Sequence, residues 1–234
     1  LYRKGAAWLG WDTRTLELPR TVKEAALESL GRLPSKPRQL AELTATLGTG
    51  APFDLLRSVT ELSDADLLAS LERLVDQGIL AETMGDAGIV YDFRQPLVRE
   101  TLLREMGLAR SQILHGRIAK TLEEHLGERA REEADLLAYH CLRAPAEATP
   151  EAIQHLAVAG RNALTRFGNA EAARYLEAAL SFLDRRMDRG DPPPTLEGGR
   201  RKLVEDLARA LTRLGEYDRA VPLWEEASRL PTEE

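Results

Sequence analysis

The sequence is poor in cysteine and aromatic residues, and it lacks any long apolar run. Cys141 is the single cysteine among 234 residues, which excludes an internal disulfide and is typical of a reducing compartment. No apolar segment approaches the roughly 20 residues that cross a bilayer, and no signal-peptide pattern opens the chain. These absences predict a cytoplasmic protein that has no membrane partner.

Sequence patterns for nucleotide binding, metal binding and catalysis are also missing. The chain has no Gly-Lys dipeptide, and therefore no Walker A loop, and it has no G-x-G-x-x-G motif. No two of its four histidines are spaced four residues apart or belong to a Cys/His cluster, and they are His115, His125, His140 and His155. Cys141 follows His140, but no third residue that would orient an activated thiol is identifiable. The sequence therefore predicts no enzyme, no metal and no cofactor.

What the sequence has in quantity is helix-forming and charged residues. Alanine, leucine, glutamate and arginine dominate, which predicts a mainly α fold. The formal net charge is −6 with 30% charged residues, which favours solubility and argues against a general nucleic-acid-binding surface.

Two segments between residues 160 and 231 carry the same spacing of small and large residues. The second copy is anchored on Gly215, 48 residues after Phe167, which stands where a glycine is usual. The matched positions are Gly160 with Ala208, Ala172 with Ala220, Leu176 with Trp224, and Ala179 with Ala227. This spacing resembles the tetratricopeptide repeat, in which small residues let two antiparallel helices approach closely. Such repeats form binding surfaces, so we expect a protein partner or a small inducer on them.

The first half of the chain predicts three helices followed by a β-hairpin. The third helix begins at Ser63, an N-cap with Asp66 at the capping-box position. Its apolar stripe is Leu67, Leu68, Leu71, Leu74 and Val75. Residues 79–84 and 88–93 then flank a GDAG turn. This order is typical of a winged helix, whose third helix usually enters a DNA groove.

The charges of that third helix argue against direct DNA binding. Residues 61–78 carry five carboxylates and one arginine, a net charge of −4 on the element that would approach phosphates. We therefore interpret the winged helix as a structural or relay module. A DNA-binding winged-helix regulator remains the alternative.

Four regions follow from these patterns. Residues 1–18 are expected to connect from a preceding domain, with a hairpin or extended segment at 7–18 that turns at Asp12 and Thr13. Residues 19–95, which begin with a helix near Thr21, form the winged-helix domain. Residues 96–148 form degenerate helix pairs, and 149–234 form the repeats, with Thr149 as a helix N-cap and a loop at 184–199.

The order of these regions resembles that of a known family. The strings LPRTVKEAALESLGRL, FRQPLVRETLL, LHGRIAKTLEEHL and AARYLEAALSFL are similar to the region after the ATPase core in bacterial STAND-class signal-transduction ATPases, including large ATP-binding LuxR-type transcriptional regulators. The resemblance implies a winged helix followed by a helical-repeat sensor, with the ATPase domain of the parent chain as a partner. The repeats are expected to continue beyond Glu234 or to cover their last face by self-association.

Overall fold

Helix dominates the part of the chain that the structure describes, as the composition predicted. The computed structural model describes residues 2–4, 7–9, 28, 30–85, 88–144, 149–192 and 194–231. Its helices are α1 (Ser35–Leu47), α2 (Phe53–Val59), α3 (Asp64–Asp76), α4 (Pro96–Glu105), α5 (Leu108–Leu126), α6 (Ala134–Arg143), α7 (Pro150–Thr165), α8 (Asn169–Asp188), α9 (Gly199–Leu214) and α10 (Tyr217–Arg229). A 3-10 helix, Gly127–Arg131, joins α5 to α6.

Among the described residues, five short strands form two antiparallel sheets. They are β1 (Tyr2–Lys4), β2 (Ala7–Leu9), β3 (Ala51–Pro52), β4 (Leu80–Gly85) and β5 (Gly88–Phe93). The predicted hairpin is confirmed, because β4 pairs with β5 in a register that joins Leu80 to Phe93. Strand β3 pairs with the other edge of β5 and was not predicted, since two residues are too few to show an alternating pattern.

Two predicted helix starts are confirmed by their caps. The Ser63 hydroxyl accepts a hydrogen bond of 3.2 Å from the Asp66 backbone N–H. The Thr149 hydroxyl accepts one of 3.1 Å from the Ala152 backbone N–H. Each satisfies a donor that the first helical turn leaves unpaired. The predicted stripe on α3 is wrong at Leu68, which is 48% exposed.

Two expected segments have different limits in the structure. The predicted loop at 184–199 is wrong at its start, because α8 continues to Asp188 and the Arg185 guanidinium packs over the Phe182 ring at 4.6 Å. The chain then turns at Gly190, which has a φ of 76°. At the N-terminus, β2 pairs with β1, and the expected turn at Asp12 and Thr13 lies outside the described residues. The expected helix from Thr21 is described only at residues 28, 30 and 31.

The buried apolar side chains form two cores that meet inside one helix. The first core contains buried residues from Leu30 to Leu137, including side chains of α1 to α5. The second core contains buried residues from Ala138 to Ala227. Helix α6 thus contributes to both, and α4 and α5 share a core with the sheet of β3, β4 and β5. The cores divide between Leu137 and Ala138, whereas the boundaries expected from the sequence stand after residues 95 and 148.

Candidate binding surfaces of the helix pairs

The pairs α7/α8 and α9/α10 are joined by equivalent turns. Phe167 and Gly215, the anchors of the sequence match, both adopt left-handed backbone conformations, with φ of 60° and 81°. Phe167 is the one non-glycine residue with positive φ among the described residues. This conformation costs a side-chain-bearing residue free energy and costs glycine little.

The backbone hydrogen bonds of the two turns also correspond. In each turn, the two N–H groups at and after the anchor bond back to carbonyls of the preceding helix, which is the Schellman arrangement. The bonds are Phe167 to Leu164 (3.2 Å), Gly168 to Ala163 (2.9 Å), Gly215 to Thr212 (3.1 Å) and Glu216 to Leu211 (3.0 Å). The offset of 48 residues therefore applies to the backbone as well as to the side chains.

The small residues of the sequence match lie between packed helices. Those on α8, α9 and α10 are buried, and they are Ala172, Ala179, Ala208, Ala220 and Ala227. Gly160 on α7 has the closest neighbour: a Cβ built there would lie 2.6 Å from Cγ of the buried Leu176. The α7–α8 approach therefore leaves no room for a methyl group at residue 160.

Trp224 has a different environment from its sequence counterpart Leu176. Leu176 is fully buried, whereas Trp224 is 41% exposed and its indole N–H donates a 3.2 Å hydrogen bond to the Thr212 hydroxyl. Three more exposed apolar side chains lie at this end of the chain, namely Leu214, Tyr217 and Val221. We call these four residues the C-terminal face.

A cleft lies where α5, the 3-10 helix and α7 meet the loop before α9. It has a volume of about 320 Å³, and both Arg131 and Arg161 line it, so we call it the arginine cleft. The loop is held to α7 by a 2.9 Å hydrogen bond from the Gln154 amide to the Thr195 carbonyl. The Arg161 guanidinium lies 3.6 Å from the Glu197 carboxylate on the same loop.

The lining of the arginine cleft also includes a histidine–carboxylate pair. His155 Nε2 lies 3.1 Å from Glu123 Oε1, which joins α7 to α5. Both residues also line a second cavity, of about 420 Å³, next to Cys141. Desolvation by burial raises the pKa of the Cys141 thiol to about 12, so this residue is a neutral thiol at physiological pH.

A second histidine pair is buried between α5 and α6. Nδ1 of His115 and Nδ1 of His140 are 2.9 Å apart, and the two side chains are 4% and 0% exposed. Burial, followed by the nearby Arg143 charge, lowers the pKa of His115 to about 4. Burial, then His115 and Arg143, lowers the pKa of His140 to about 3. No sequence pattern indicates this pair, because its members are 25 residues apart on different helices.

The acidic groups of α3 and the segment before it are largely paired. Asp64 bonds to Arg57 at 2.6 Å, Asp66 to Lys36 at 2.7 Å, and Glu61 to Arg117 at 2.6 Å. The hydrogen bond from Arg57 lowers the pKa of Asp64, and that from Lys36 lowers the pKa of Asp66. The arginine and lysine side chains in these ion pairs are the cations that DNA phosphates would otherwise contact.

The described part of the chain contains neither a metal-binding cluster nor a membrane-spanning helix. No cluster of three or more His, Cys, Asp or Glu residues there could hold a metal ion. No helix there combines the length and apolarity that a membrane span requires.

Comparison with known proteins shows similarity to a distant relative. No family model matches the chain. An uncharacterized protein of Rhizobium meliloti (strain 1021) is 27% identical to it over 163 residues, which are 69% of this chain. The match spans 15% of that relative's length, so the chain corresponds to a small part of a much longer protein.

Proposed function

We propose that this chain is a non-catalytic regulatory region of a STAND-class signal-transduction ATPase or a large LuxR-type transcriptional regulator. In this proposal, residues 19–95 form a winged helix that relays a signal, and residues 149–234 form tetratricopeptide-like repeats. The repeats bind a protein partner or a small inducer in the cytoplasm, and the winged helix contacts the ATPase domain of the parent chain.

The observation that carries the proposal is the equivalence of the two helix pairs. The same turn recurs at Phe167 and Gly215, with small residues buried at matching positions on either side. Stacked helix pairs of this kind expose long surfaces for binding. The C-terminal face and the arginine cleft are two such surfaces, one apolar and one charged.

The main alternative is direct DNA binding by the winged helix. The ion pairs of Asp64 and Asp66 weigh against it, because they occupy Arg57 and Lys36 and leave Glu72 and Asp76 to repel phosphates. A DNA-binding module should bind even random duplex at low salt, since non-specific affinity is electrostatic.

Fluorescence polarisation with labelled random duplex at about 50 mM salt separates the two functions. We expect no binding at micromolar protein, and the same result for a double variant that removes acidic charge, Glu72→Gln with Asp76→Asn. Micromolar binding by the unmodified chain, weakened by added salt, would establish the DNA-binding alternative and overturn the relay role.

A further inference from the structure

We propose that the arginine cleft binds a small organic carboxylate that carries a hydrogen-bond donor at its other end, as ω-amino acids and ω-hydroxy acids do. The inference gives the chemistry of one ligand for the helical region and so rests on the proposed function. It is drawn from the charges and the apolar surface that line the cleft.

The carboxylate end is defined by the two arginines. Arg131, on the 3-10 helix, lines the cleft together with Arg161. Arg161 forms an ion pair with Glu197, at 3.6 Å, and the Glu197 side chain is 74% exposed. Such exposed pairs contribute little free energy, so a ligand carboxylate can replace Glu197. Guanidinium groups bind carboxylates through paired, charge-assisted hydrogen bonds.

The donor end is defined by Glu123. One of its carboxylate oxygens accepts the 3.1 Å contact from His155, which fixes the group at the cleft wall, and the other oxygen remains to accept a ligand ammonium or hydroxyl. Three apolar residues from different elements, Ala130, Ala157 and Leu196, also line the cleft. The lining therefore combines two guanidinium groups, one carboxylate and apolar surface. Its volume of about 320 Å³ is at the small end of the usual range for ligand sites.

Three probes with the same aliphatic body test this assignment: ε-aminocaproate, which has both end groups, caproate, which lacks the donor, and hexylamine, which lacks the carboxylate. Binding to the full chain is measured by ligand-observed NMR and calorimetry up to about 10 mM, a range that covers millimolar Kd values. We expect ε-aminocaproate to bind more tightly than caproate, and hexylamine not to bind.

Substitutions assign the binding to the cleft. Arg131→Gln and Arg161→Gln should each weaken ε-aminocaproate binding by about tenfold, since each removes a charged donor to the carboxylate. Glu123→Gln should bring the affinity for ε-aminocaproate down to that for caproate. Arg229→Gln is the matched control, because Arg229 is an exposed arginine on α10 that pairs with Glu225, and it should change nothing. Circular dichroism and Tm confirm that each variant is folded.

Three results would overturn the proposal: no binding of either carboxylate, hexylamine binding as tightly as ε-aminocaproate, or affinities unaffected by both arginine substitutions. If one of these results occurs and the polarisation assay shows no DNA binding, the proposed ligand class is wrong and the proposed function is unaffected. DNA binding would exclude the proposed function whatever the result with the probes.

Discussion

At the residue scale, the contact between His115 and His140 determines how both rings are protonated. A hydrogen bond between two Nδ1 atoms needs one donor and one acceptor, so the rings must be different tautomers. His140 Nε2 is buried and has no hydrogen-bond partner among the described residues. A bare lone pair there is less costly than an unpaired N–H, which makes His140 the Nδ1–H donor and His115 the acceptor. Neither ring can gain a proton without a buried, uncompensated charge.

This pair should make the protein less stable as the pH falls below about 6.5. The unfolded histidines bind protons near their ordinary pKa, whereas the folded ones do so only near 4 and 3. Between these values the unfolded state holds more protons, so its formation is favoured by acid. Each histidine contributes a slope of at most about 1.4 kcal/mol per pH unit in this window.

The measurement is the free energy of unfolding in urea between about pH 5 and 7. The double variant His115→Phe, His140→Phe should show a shallower dependence on pH than the unmodified chain. His125→Gln, which changes an exposed histidine, should keep the original slope. Equal slopes for all three proteins would show that the buried pair does not titrate as described.

The backbone conformation of Phe167 has a measurable cost in free energy. Its φ of 60° is unfavourable for a branched or bulky side chain, and the side chain gains little in return because it is 78% exposed. The Arg213 guanidinium lies 5.8 Å from the ring centre, which is a weak contact at an exposed site.

Phe167→Gly should therefore stabilise the chain, by about 0.5 to 1 kcal/mol, because glycine adopts the left-handed conformation without strain. Gly215→Ala, at the equivalent turn, should destabilise it by a similar amount. Thermal unfolding of both variants measures the two effects. Changes of the same sign would contradict the equivalence of the turns.

At the element scale, the α7–α8 contact depends on the absence of a side chain at residue 160. Gly160→Ala would improve helix propensity by about 1 kcal/mol in an open helix. Here the new methyl group would overlap Leu176, so we expect a net loss of about 1 to 3 kcal/mol of stability. Gly31→Ala is the control, since residue 31 is also helical and nothing lies within 4 Å of a Cβ there. Stabilisation by both substitutions in urea unfolding would refute the close approach.

The α9–α10 pair is tested by Ala220→Leu. Ala220 is 1% exposed, and three added carbon atoms should overpack the pair at a cost of about 1 to 3 kcal/mol. Ala170→Leu, at an exposed position in the first turn of α8, should leave Tm nearly unchanged. If the two variants melted at the same temperature, the matched packing of the helix pairs would be wrong.

At the scale of the whole molecule, the first core needs helices that follow the hairpin. Val98 and Leu102 of α4 are buried in it, the Arg99 guanidinium donates a 3.0 Å hydrogen bond to the Ala45 carbonyl of α1, and Ile118 of α5 is fully buried. On α1, the buried Glu42 carboxylate lies 2.6 Å from the Arg110 guanidinium of α5. Residues up to 95 therefore leave apolar surface uncovered, and Glu42 keeps Arg38 but loses Arg110 as an ion-pair partner.

Two truncated chains test this dependence. Residues 1–144 contain all of the first core and should unfold cooperatively in urea, whereas residues 1–95 should give no sigmoidal transition. Near-UV circular dichroism and the urea curve distinguish these outcomes. A cooperative transition of the shorter chain would show that α4 and α5 are dispensable for the first core.

Much of the local structure could be predicted from the sequence, and little of the candidate site. The caps at Ser63 and Thr149 and the β4–β5 hairpin depend on residues that are close in sequence, so the sequence pattern predicts them. The pairs His115–His140 and Glu123–His155 each join residues more than twenty positions apart on separate helices. The periodicity of a helix does not show which face of another helix it packs against. The arginine cleft forms only where such helices pack together.

Helix α5 connects the first core to the arginine cleft. Leu122 is buried in the first core, and the next residue, Glu123, is a wall of the arginine cleft. An occupant of the cleft would therefore have to be released before α5 could open locally. Backbone amides around residue 122 should then exchange with deuterium more slowly in the presence of ε-aminocaproate.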